Sequence, residues 1–252
     1  MSHTIRERTV VAGDTRERLL ITAEQMYVEH GHETMSLRQI TQLAGTNLAA
    51  VNYYFRSKDG LVQAMLARRL DPINKARLAM LARFSDTYGD SLTCEHVFGA
   101  IVIPVLNASV DRLSASATAA FGLRAASDLS PFVRNFLGDR YGAVSERFFD
   151  AFHRALPTVA REELRWRLSL LTSASPGILV NANTLQLMHE GMGRSARTQV
   201  RVLAQLGTLL SACLRMREPT AGEIETFERM LQGSDMLPTP FSSAYEVDLG
   251  ST

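Results

Sequence analysis

Apolar residues recur at intervals of three and four along almost the whole chain, and the alternation typical of half-buried strands is absent. The N-terminal region shows the pattern clearly, since Leu19, Ala23, Met26 and Tyr27 form one stripe of a helix that begins near Thr15. Hydrophobic residues make up 46% and charged residues 21% of the 252 residues, a balance typical of a globular chain. The spacing therefore predicts an all-α protein.

The chain beyond the N-terminal region continues in the same periodicity. A helix is expected to start after Ser57 and to bend or break at Pro72, because proline lacks the amide that a helix interior needs. Further helices are predicted over 93–110, 113–127, 131–155, 160–188 with a break at Pro176, 196–217 and 220–231.

Two short helices are predicted to lie about ten residues apart in the N-terminal region. The first begins at Ser36, which with Gln39 has the sequence of a capping box, and it ends at Gly45. The second is capped by Asn47 and ends near Tyr54. The expected buried side of the first short helix consists of Leu37, Ile40 and Leu43. This layout is that of a helix-turn-helix, and an ordinary helical hairpin is the alternative.

The charge of the chain is unevenly distributed although its net value is only +1. Residues 1–84 carry 12 Lys+Arg and 8 Asp+Glu, a net +4, and the remainder carries a net −3. The stretch from Ser36 to Lys58 holds Arg38, Arg56 and Lys58 and no acidic residue. A local positive surface of this kind suits contact with phosphates, although so short a stretch can also arise by chance.

The second short helix exposes side chains that suit contact with DNA. If Val51 and Phe55 face the core, six residues are left outside: Leu48, Ala49, Ala50, Asn52, Tyr53 and Tyr54. Alanine methyl groups can touch a thymine methyl, and an asparagine can pair with adenine. Tyrosine hydroxyls and the Lys58 ammonium suit phosphate oxygens.

Residues 13–73 resemble the DNA-binding domain of the tetracycline-repressor family of bacterial regulators. The resemblance rests on the turn glycine Gly45, the run Tyr53-Tyr54-Phe55, the pair Ser57-Lys58 and Leu61. It implies a guanine-reading role for Arg38 and a phosphate contact for Lys58. The chain departs from the family at Thr46, where an apolar residue is usual, and at Asn52, where tyrosine is usual. The second departure leaves Tyr53 to supply the missing phosphate contact. The residues predicted to contact DNA are Arg38, Thr46, Asn47, Leu48, Ala49, Ala50, Asn52, Tyr53, Tyr54 and Lys58.

The resemblance also implies a domain organisation. An arm over 1–12 precedes the DNA-binding domain over 13–73, whose helix-turn-helix spans about 36–55. A helical domain over 74–232 would bind a small effector and form a homodimer, and a tail covers 233–252. The motif NLAAVNYYF is similar to that of a subgroup containing a fatty-acid-responsive regulator of pseudomonads, which points to an acyl effector; an aromatic one is the alternative.

The predicted C-terminal helices carry two apolar rows, which indicates two packing partners. The residues assigned to the dimer interface form one row on the helix over 196–217 and a stripe on the preceding helix: Leu203, Leu206, Leu210 and Cys213, with Leu164, Leu168 and Leu171. A second row contains Val202, Leu209 and Met216. Burial within one subunit is the alternative.

The predicted effector pocket is apolar, with two candidate cations for an anionic head group. Its residues are Phe98, Ile101, Phe121, Phe132 and Phe149, with Arg124 and Arg134 as the cations. Each of the apolar residues could equally be core, and each arginine could lie on a solvated surface.

Other classes of function find little support in the sequence. No serine lies in a GxSxG motif, the six histidines never pair at i, i+4, and the GxGxxA match at 191–196 follows no strand. No enzymatic activity, cofactor or metal is therefore expected, and the absence of a targeting or membrane segment predicts a cytoplasmic protein. The sequence predicts a homodimeric, effector-responsive repressor of a palindromic operator. The alternative is a ligand-binding protein, or one that senses redox state through Cys94 and Cys213, whose helix-turn-helix does not read DNA.

Overall fold

The computed structural model describes residues 15–107, 121–122, 124–180 and 196–233, and the regular structure of these ranges is helical. The prediction of an all-α fold is confirmed. The helices are α1 (Thr15–His30), α2 (Leu37–Leu43), α3 (Leu48–Phe55), α4 (Lys58–Tyr88), α5 (Cys94–Asn107), α6 (Pro131–Ala155), α7 (Arg161–Val180), α8 (Ala196–Leu214) and α9 (Ala221–Gly233). None of the described helices is long and apolar enough to cross a membrane.

Most of the predicted helix boundaries in the N-terminal region are confirmed. Gly31 ends α1 with a φ of 77°, and Gly45 follows α2 with a φ of 61°, both in the left-handed region that favours glycine. The Asn47 side-chain oxygen accepts the Ala50 amide at 3.0 Å, and the Ser57 hydroxyl accepts the Gly60 amide at 3.0 Å. These two caps fix where α3 and α4 begin.

The capping box predicted at Ser36 and Gln39 is wrong. Ser36 starts α2 through its backbone carbonyl, which accepts the Ile40 amide at 3.0 Å, but its hydroxyl caps no amide of the helix. A capping box forms instead at α9, where the Thr220 amide donates to Glu223 at 2.8 Å. Hydrogen bonds from Arg217 and Thr220 lower the pKa of Glu223 to about 2, so this carboxylate is held in its charged form.

The predicted break at Pro176 is wrong, and of the bend or break predicted at Pro72 the break does not occur. Helix α4 continues through Pro72 to Tyr88, and α7 continues through Pro176 to Val180. A proline inside a helix removes one amide donor, but the chain can remain helical where packing holds it on both sides. In α4 the buried residues Leu66 and Ile73 flank Pro72. Residues 108–110, 113–120 and 181–188 of the predicted helices lie outside the described ranges.

Two apolar clusters organise the helices α1–α8. The first lies among α1, α2, α3 and the N-terminal half of α4, and Phe121, Ala125 and Val133 pack into it. The second lies among the C-terminal half of α4, α5, α6, α7 and the end of α8. Helix α4 contributes to both clusters, so it connects the two halves of this unit mechanically.

The chain divides into two compact units at Leu214. Helices α1–α8 belong to the first unit, and α9 belongs to the second. Helix α9 exposes Ile224, Phe227 and Met230 along one row. The predicted domain boundary at residue 73 stays a prediction.

Candidate nucleic-acid interface

Helices α2 and α3 meet across a tight turn with a defined hydrogen-bond pattern. The Gly45 amide donates to the Gln42 carbonyl at 3.2 Å, and the Thr46 amide donates to the Thr41 carbonyl at 2.9 Å. The prediction for the buried side of α2 holds for Ile40, which is fully buried, but it is wrong for Leu43, which is 70% exposed. Thr41 is buried instead. The buried side is centred between Ile40 and Thr41, and position 43 is turned away from that centre by about 110°.

Helix α3 is anchored as the sequence predicts. Val51 and Phe55 are buried in the first cluster, and Ala50 packs against it while half-buried. The opposite side of the helix exposes Leu48, Ala49, Asn52, Tyr53 and Tyr54. This exposed side contains no charged group, so it offers methyl, amide and phenol groups to whatever lies against it.

Adjacent tyrosines on α3 have different surroundings. The Tyr53 side chain is 81% exposed and that of Tyr54 is 37% exposed, and their rings meet edge to face with centroids 4.9 Å apart. Tyr54 therefore stands against Tyr53 and Phe55, while Tyr53 extends into solvent. An exposed phenol held in this way is suited to donate to a phosphate oxygen.

The remaining predicted contact residues lie around this surface. Arg38 is exposed on α2. Lys58 is the first residue of α4, and its ammonium lies 3.4 Å from the Glu33 carbonyl oxygen. The Asn47 side-chain oxygen is engaged in its cap, and the hydroxyl of Thr46 is buried. Arg38 and Asn47 are thus exposed, Lys58 is half-buried, and Thr46 presents no hydroxyl to a ligand.

A buried histidine connects the first turn of α4 with the start of α6. The His32 imidazole lies 3.2 Å from the Asp59 carboxylate and 3.1 Å from the Ser130 hydroxyl through its two ring nitrogens. Its ring stacks on Phe132 at 4.8 Å. Asp59 belongs to the first turn of α4, and Ser130 caps α6 by accepting the Val133 amide. Sequence reasoning missed His32, because no local pattern shows that two distant helix starts converge on it.

Further contacts reinforce the same junction. Tyr27 of α1 packs on Phe121 with ring centroids 5.7 Å apart. Its pKa is raised mainly by burial and also by the nearby Asp128 carboxylate. The Arg124 guanidinium lies directly against Gly31, where any larger side chain would overlap it. Helix α1 and the residues that follow it are therefore packed directly against residues 121–132.

A second connection lies between α4 and α6. The Asp71 carboxylate accepts hydrogen bonds from the Arg140 guanidinium at 2.6 and 2.9 Å and from the Tyr141 hydroxyl at 2.8 Å. The Arg140 contact lowers the pKa of Asp71, so the carboxylate stays charged. These hydrogen bonds connect α6 to the middle of α4.

The predicted effector residues are not brought to one place. Phe121 and Phe132 pack with the first cluster, whereas Ile101 and Phe149 pack with the second, and Arg134 is exposed. Arg124 is occupied at Gly31, and Phe98 is half-buried against α8. A cavity of about 410 Å³ lies between α4 and α6. It is lined by Gln63, Phe132, Asn135, Phe136, Asp139 and Arg140.

A cation that sequence reasoning missed lies between α4 and α5. The Arg77 guanidinium donates to the Ile101 carbonyl at 2.9 Å and to the Asn74 side-chain oxygen at 3.1 Å. Burial lowers the pKa of Arg77, and no ion pair to it forms within the described ranges. The sequence did not indicate this burial, because Arg77 is one of several charged residues on α4 and no local pattern distinguishes it.

The row assigned to the dimer interface lies largely against the chain's own core. Leu164 is fully buried, and Leu168, Leu171 and Leu210 pack against the second cluster. Leu203, Leu206 and Cys213 are half-buried. Of the second predicted row, Leu209 is exposed on α8, Met216 lies beyond the end of α8 at Leu214, and the side chain of Val202 lies outside the described ones. The apolar residues that α7 and α8 leave exposed are Trp166, Leu170, Val200 and Leu209.

Two family models match the chain. The model described as "Tetracyclin repressor-like, C-terminal domain" matches residues 99–230, and the model described as "Bacterial regulatory proteins, tetR family" matches residues 19–65. The second match covers α2, α3 and the turn between them.

Individual proteins show the same similarity. The chain is 27% identical over 216 residues to the HTH-type transcriptional regulator SrpR of Pseudomonas putida, covering 85% of this chain and 91% of SrpR. It is 32% identical over 79 residues to the HTH-type transcriptional repressor NemR of Escherichia coli, which is 31% of this chain and 40% of NemR. The crystal structure of AmtR from Mycobacterium smegmatis matches with a TM-score of 0.50 at 15% identity, over 91% of this chain and 98% of AmtR. The structural match supports the fold.

Proposed function

Because the chain belongs to the tetR family of bacterial regulatory proteins, we propose that it is a homodimeric repressor released from a palindromic operator by a lipophilic effector. Membership makes the protein a DNA-binding transcriptional regulator and not an enzyme. The observation that carries the DNA-binding part of the proposal is the exposed side of α3, which offers methyl, amide and phenol groups, has no charged group and lies within the acid-free stretch from Ser36 to Lys58. The repressor assignment is supported by the family relatives that are named as repressors.

Base reading falls to the exposed side chains of α2 and α3. Arg38 suits a bidentate contact to guanine, and Asn52 suits the corresponding contact to adenine. Ala49 and the half-buried Ala50 would approach thymine methyl groups, and Leu48 would lie beside them. Tyr53, Tyr54 and Lys58 would bind phosphates and so fix the register of α3 in the major groove.

The Arg38→Ala variant is expected to lose about 1–3 kcal/mol of binding free energy at the base pair that Arg38 reads, and to relax specificity there. Competition assays with operators substituted at single positions measure this loss. An equal loss of affinity for all sequences would show that Arg38 acts on the backbone and not on a base.

The Lys58→Ala variant is expected to weaken binding to all sequences alike. Removing one phosphate contact releases fewer counterions, so the slope of log K against log salt should flatten by about one for each bound subunit. Titrations at several salt concentrations measure the slope. If the slope is unchanged, the Lys58 ammonium serves only the Glu33 carbonyl, which it approaches in the unbound protein.

Dimerisation is proposed through the exposed apolar residues of α7 and α8. Trp166 is 57% exposed and Leu209 is 56% exposed, and large apolar groups of this kind are the usual centre of a subunit interface. Two-fold symmetry would place two α3 helices about 34 Å apart, the spacing of successive major grooves on one side of a duplex. A palindromic operator follows from that symmetry.

Release by an effector is proposed to pass through the junctions at His32 and Asp71. An effector shifts the regulator only by binding one of its conformations more tightly than the other. A shift of α6 would move Ser130 and Arg140, which contact His32 and Asp71 respectively, and α4 would follow. Arg77, which is half-buried between α4 and α5, is the cation proposed to receive an anionic group of such an effector. Selection of binding sequences from a random duplex pool tests the proposed function directly.

A further inference from the structure

The junction between α3 and α4 has an unusual backbone conformation at Arg56. Its φ is 68° and its ψ is −34°, and among the described residues no other non-glycine residue has a positive φ. The Ser57 amide donates to the Phe55 carbonyl at 2.8 Å, across one residue. Arg56 is therefore the central residue of a γ-turn with left-handed φ, a type that is rare and strained. Glycine is the residue favoured at such a position, yet the chain carries arginine.

The turn is held tightly from both sides. The Arg56 amide donates to the Val51 and Asn52 carbonyls at 3.1 and 3.2 Å, which closes the end of α3. On the other side the Phe55 carbonyl lies over the first turn of α4, so close that a methyl group on Gly60 would overlap its oxygen. Phe55 itself is buried in the first cluster. The surrounding contacts therefore force Arg56 into this conformation.

The Arg56 side chain is exposed and forms no hydrogen bond or ion pair within the described ranges. Two arginines three turns into α4 differ in this respect, since Arg68 pairs with Glu17 and Arg69 pairs with Glu24. The guanidinium of Arg56 thus remains available, immediately after the helix that carries Tyr53 and beside Lys58.

We propose that Arg56 binds a backbone phosphate of the operator and that the strained turn holds it in position to do so. This inference rests on the proposed function and adds a contact outside the set of residues predicted to bind DNA. Strain that persists at a non-glycine residue is commonly found where a side chain or a chain direction serves a function. Arginine presents a rigid fork of donors that matches phosphate geometry, so its retention at this position has a chemical reason.

Three substitutions of Arg56 separate its charge from the strain of its backbone. Arg56→Gln removes the charge and keeps an unbranched polar side chain and the strain. Arg56→Lys keeps the charge, and Arg56→Gly removes both the charge and the strain. Lys75→Gln on α4 is the matched control, because it removes one exposed positive charge 17 residues after Lys58, roughly 26 Å along the helix.

Binding is measured by fluorescence anisotropy on a selected operator. The salt concentration is varied from about 0.05 to about 0.5 M, a range wide enough to measure the slope of log K against log salt. Arg56→Gln is expected to flatten the salt slope by about one for each subunit and to weaken binding about tenfold for each half-site at roughly 0.1 M salt. Arg56→Lys should keep the slope, and Lys75→Gln should leave both quantities unchanged. Arg56→Gly should bind the operator as weakly as Arg56→Gln. Its melting temperature should be higher than that of Arg56→Gln, because glycine relieves the backbone strain.

Several outcomes would overturn the inference. Unchanged affinity and slope in Arg56→Gln would show that no phosphate is bound there, and a lower melting temperature for Arg56→Gly would show that the turn is not strained. If Lys75→Gln weakened operator binding as much as Arg56→Gln does, the loss of affinity would reflect only the net charge of the protein. If the unsubstituted protein enriches no operator at all, the proposed function fails and the inference fails with it. If it binds an operator that Arg56→Gln binds equally well, only the inference fails.

Discussion

The Gly60→Ala variant is expected to bind its operator on the order of a hundredfold more weakly than the unsubstituted protein. The added methyl group would overlap the Phe55 carbonyl oxygen, a backbone atom that cannot yield without moving the end of α3. Overpacking of this kind costs about 1–3 kcal/mol of stability. A displaced α3 also forfeits about 1–3 kcal/mol of binding free energy for each base that it no longer reads, and a dimer forfeits it in both half-sites.

Gly142→Ala is the matched control for this experiment. Gly142 lies within α6, and a methyl group there would meet nothing within 4 Å. This variant should gain about 0.5–1 kcal/mol of stability, because glycine is unfavourable inside a helix, and its operator affinity should not change. Urea unfolding and anisotropy titrations measure both quantities. If Gly60→Ala behaves like Gly142→Ala, then the packing of Phe55 against α4 does not set the orientation of α3.

The Arg167→Met variant is expected to lower the free energy of unfolding by about 3 kcal/mol. Arg167 is buried on α7, where it donates to Glu163 at 2.6 Å and to the Leu214 carbonyl at 2.8 Å. Leu214 is the last residue of α8, so its carbonyl has no partner within its own helix. The substitution leaves a carboxylate and a carbonyl without their donor, and that penalty exceeds the packing gained from methionine.

The corresponding surface pair provides the control for Arg167. Arg229 and Glu225 on α9 have the same i,i+4 spacing, but both side chains are more than half exposed. Arg229→Met should therefore change stability by no more than about 0.5 kcal/mol. The double variant Arg167→Met with Glu163→Leu should recover part of the loss, because it removes the stranded carboxylate. Equal effects of Arg167→Met and Arg229→Met would contradict the structural role of Arg167.

The sequence predicted the helix-turn-helix more accurately than any other region, because its signals are local. Gly45, Asn47 and Ser57 act within one or two turns of their own positions, and all three behave as predicted. One local signal failed, since Ser36 does not form the predicted capping box, and the other errors occurred where tertiary packing decides the outcome. Pro72 was expected to interrupt α4, but the helix continues because buried residues hold it on both sides. Leu43 was assigned to the core, but α2 packs through the side that carries Ile40 and Thr41, and Leu43 is exposed.

The second half of the chain shows a different limit of sequence reasoning. Two apolar rows on α8 indicate two partners, but periodicity does not say which row faces the subunit core. The structure turns Leu210 inward and leaves Leu209 exposed. His32 illustrates the same limit, because its partners Asp59 and Ser130 are 27 and 98 residues away along the chain. Contacts of such separation depend on the whole fold and leave no local pattern.

The most direct test of the proposed function is selection of bound sequences from a random duplex pool with the purified protein at two salt concentrations. The account predicts enrichment of a palindrome whose half-sites lie about one helical turn apart, with weaker binding at the higher salt. The enriched duplex should then be released by a lipophilic compound in a screen of acyl and aromatic candidates. Enrichment of single, unpaired half-sites would contradict the dimer. No enrichment at either salt concentration, with or without the candidate effectors, would contradict the central claim that α3 reads DNA.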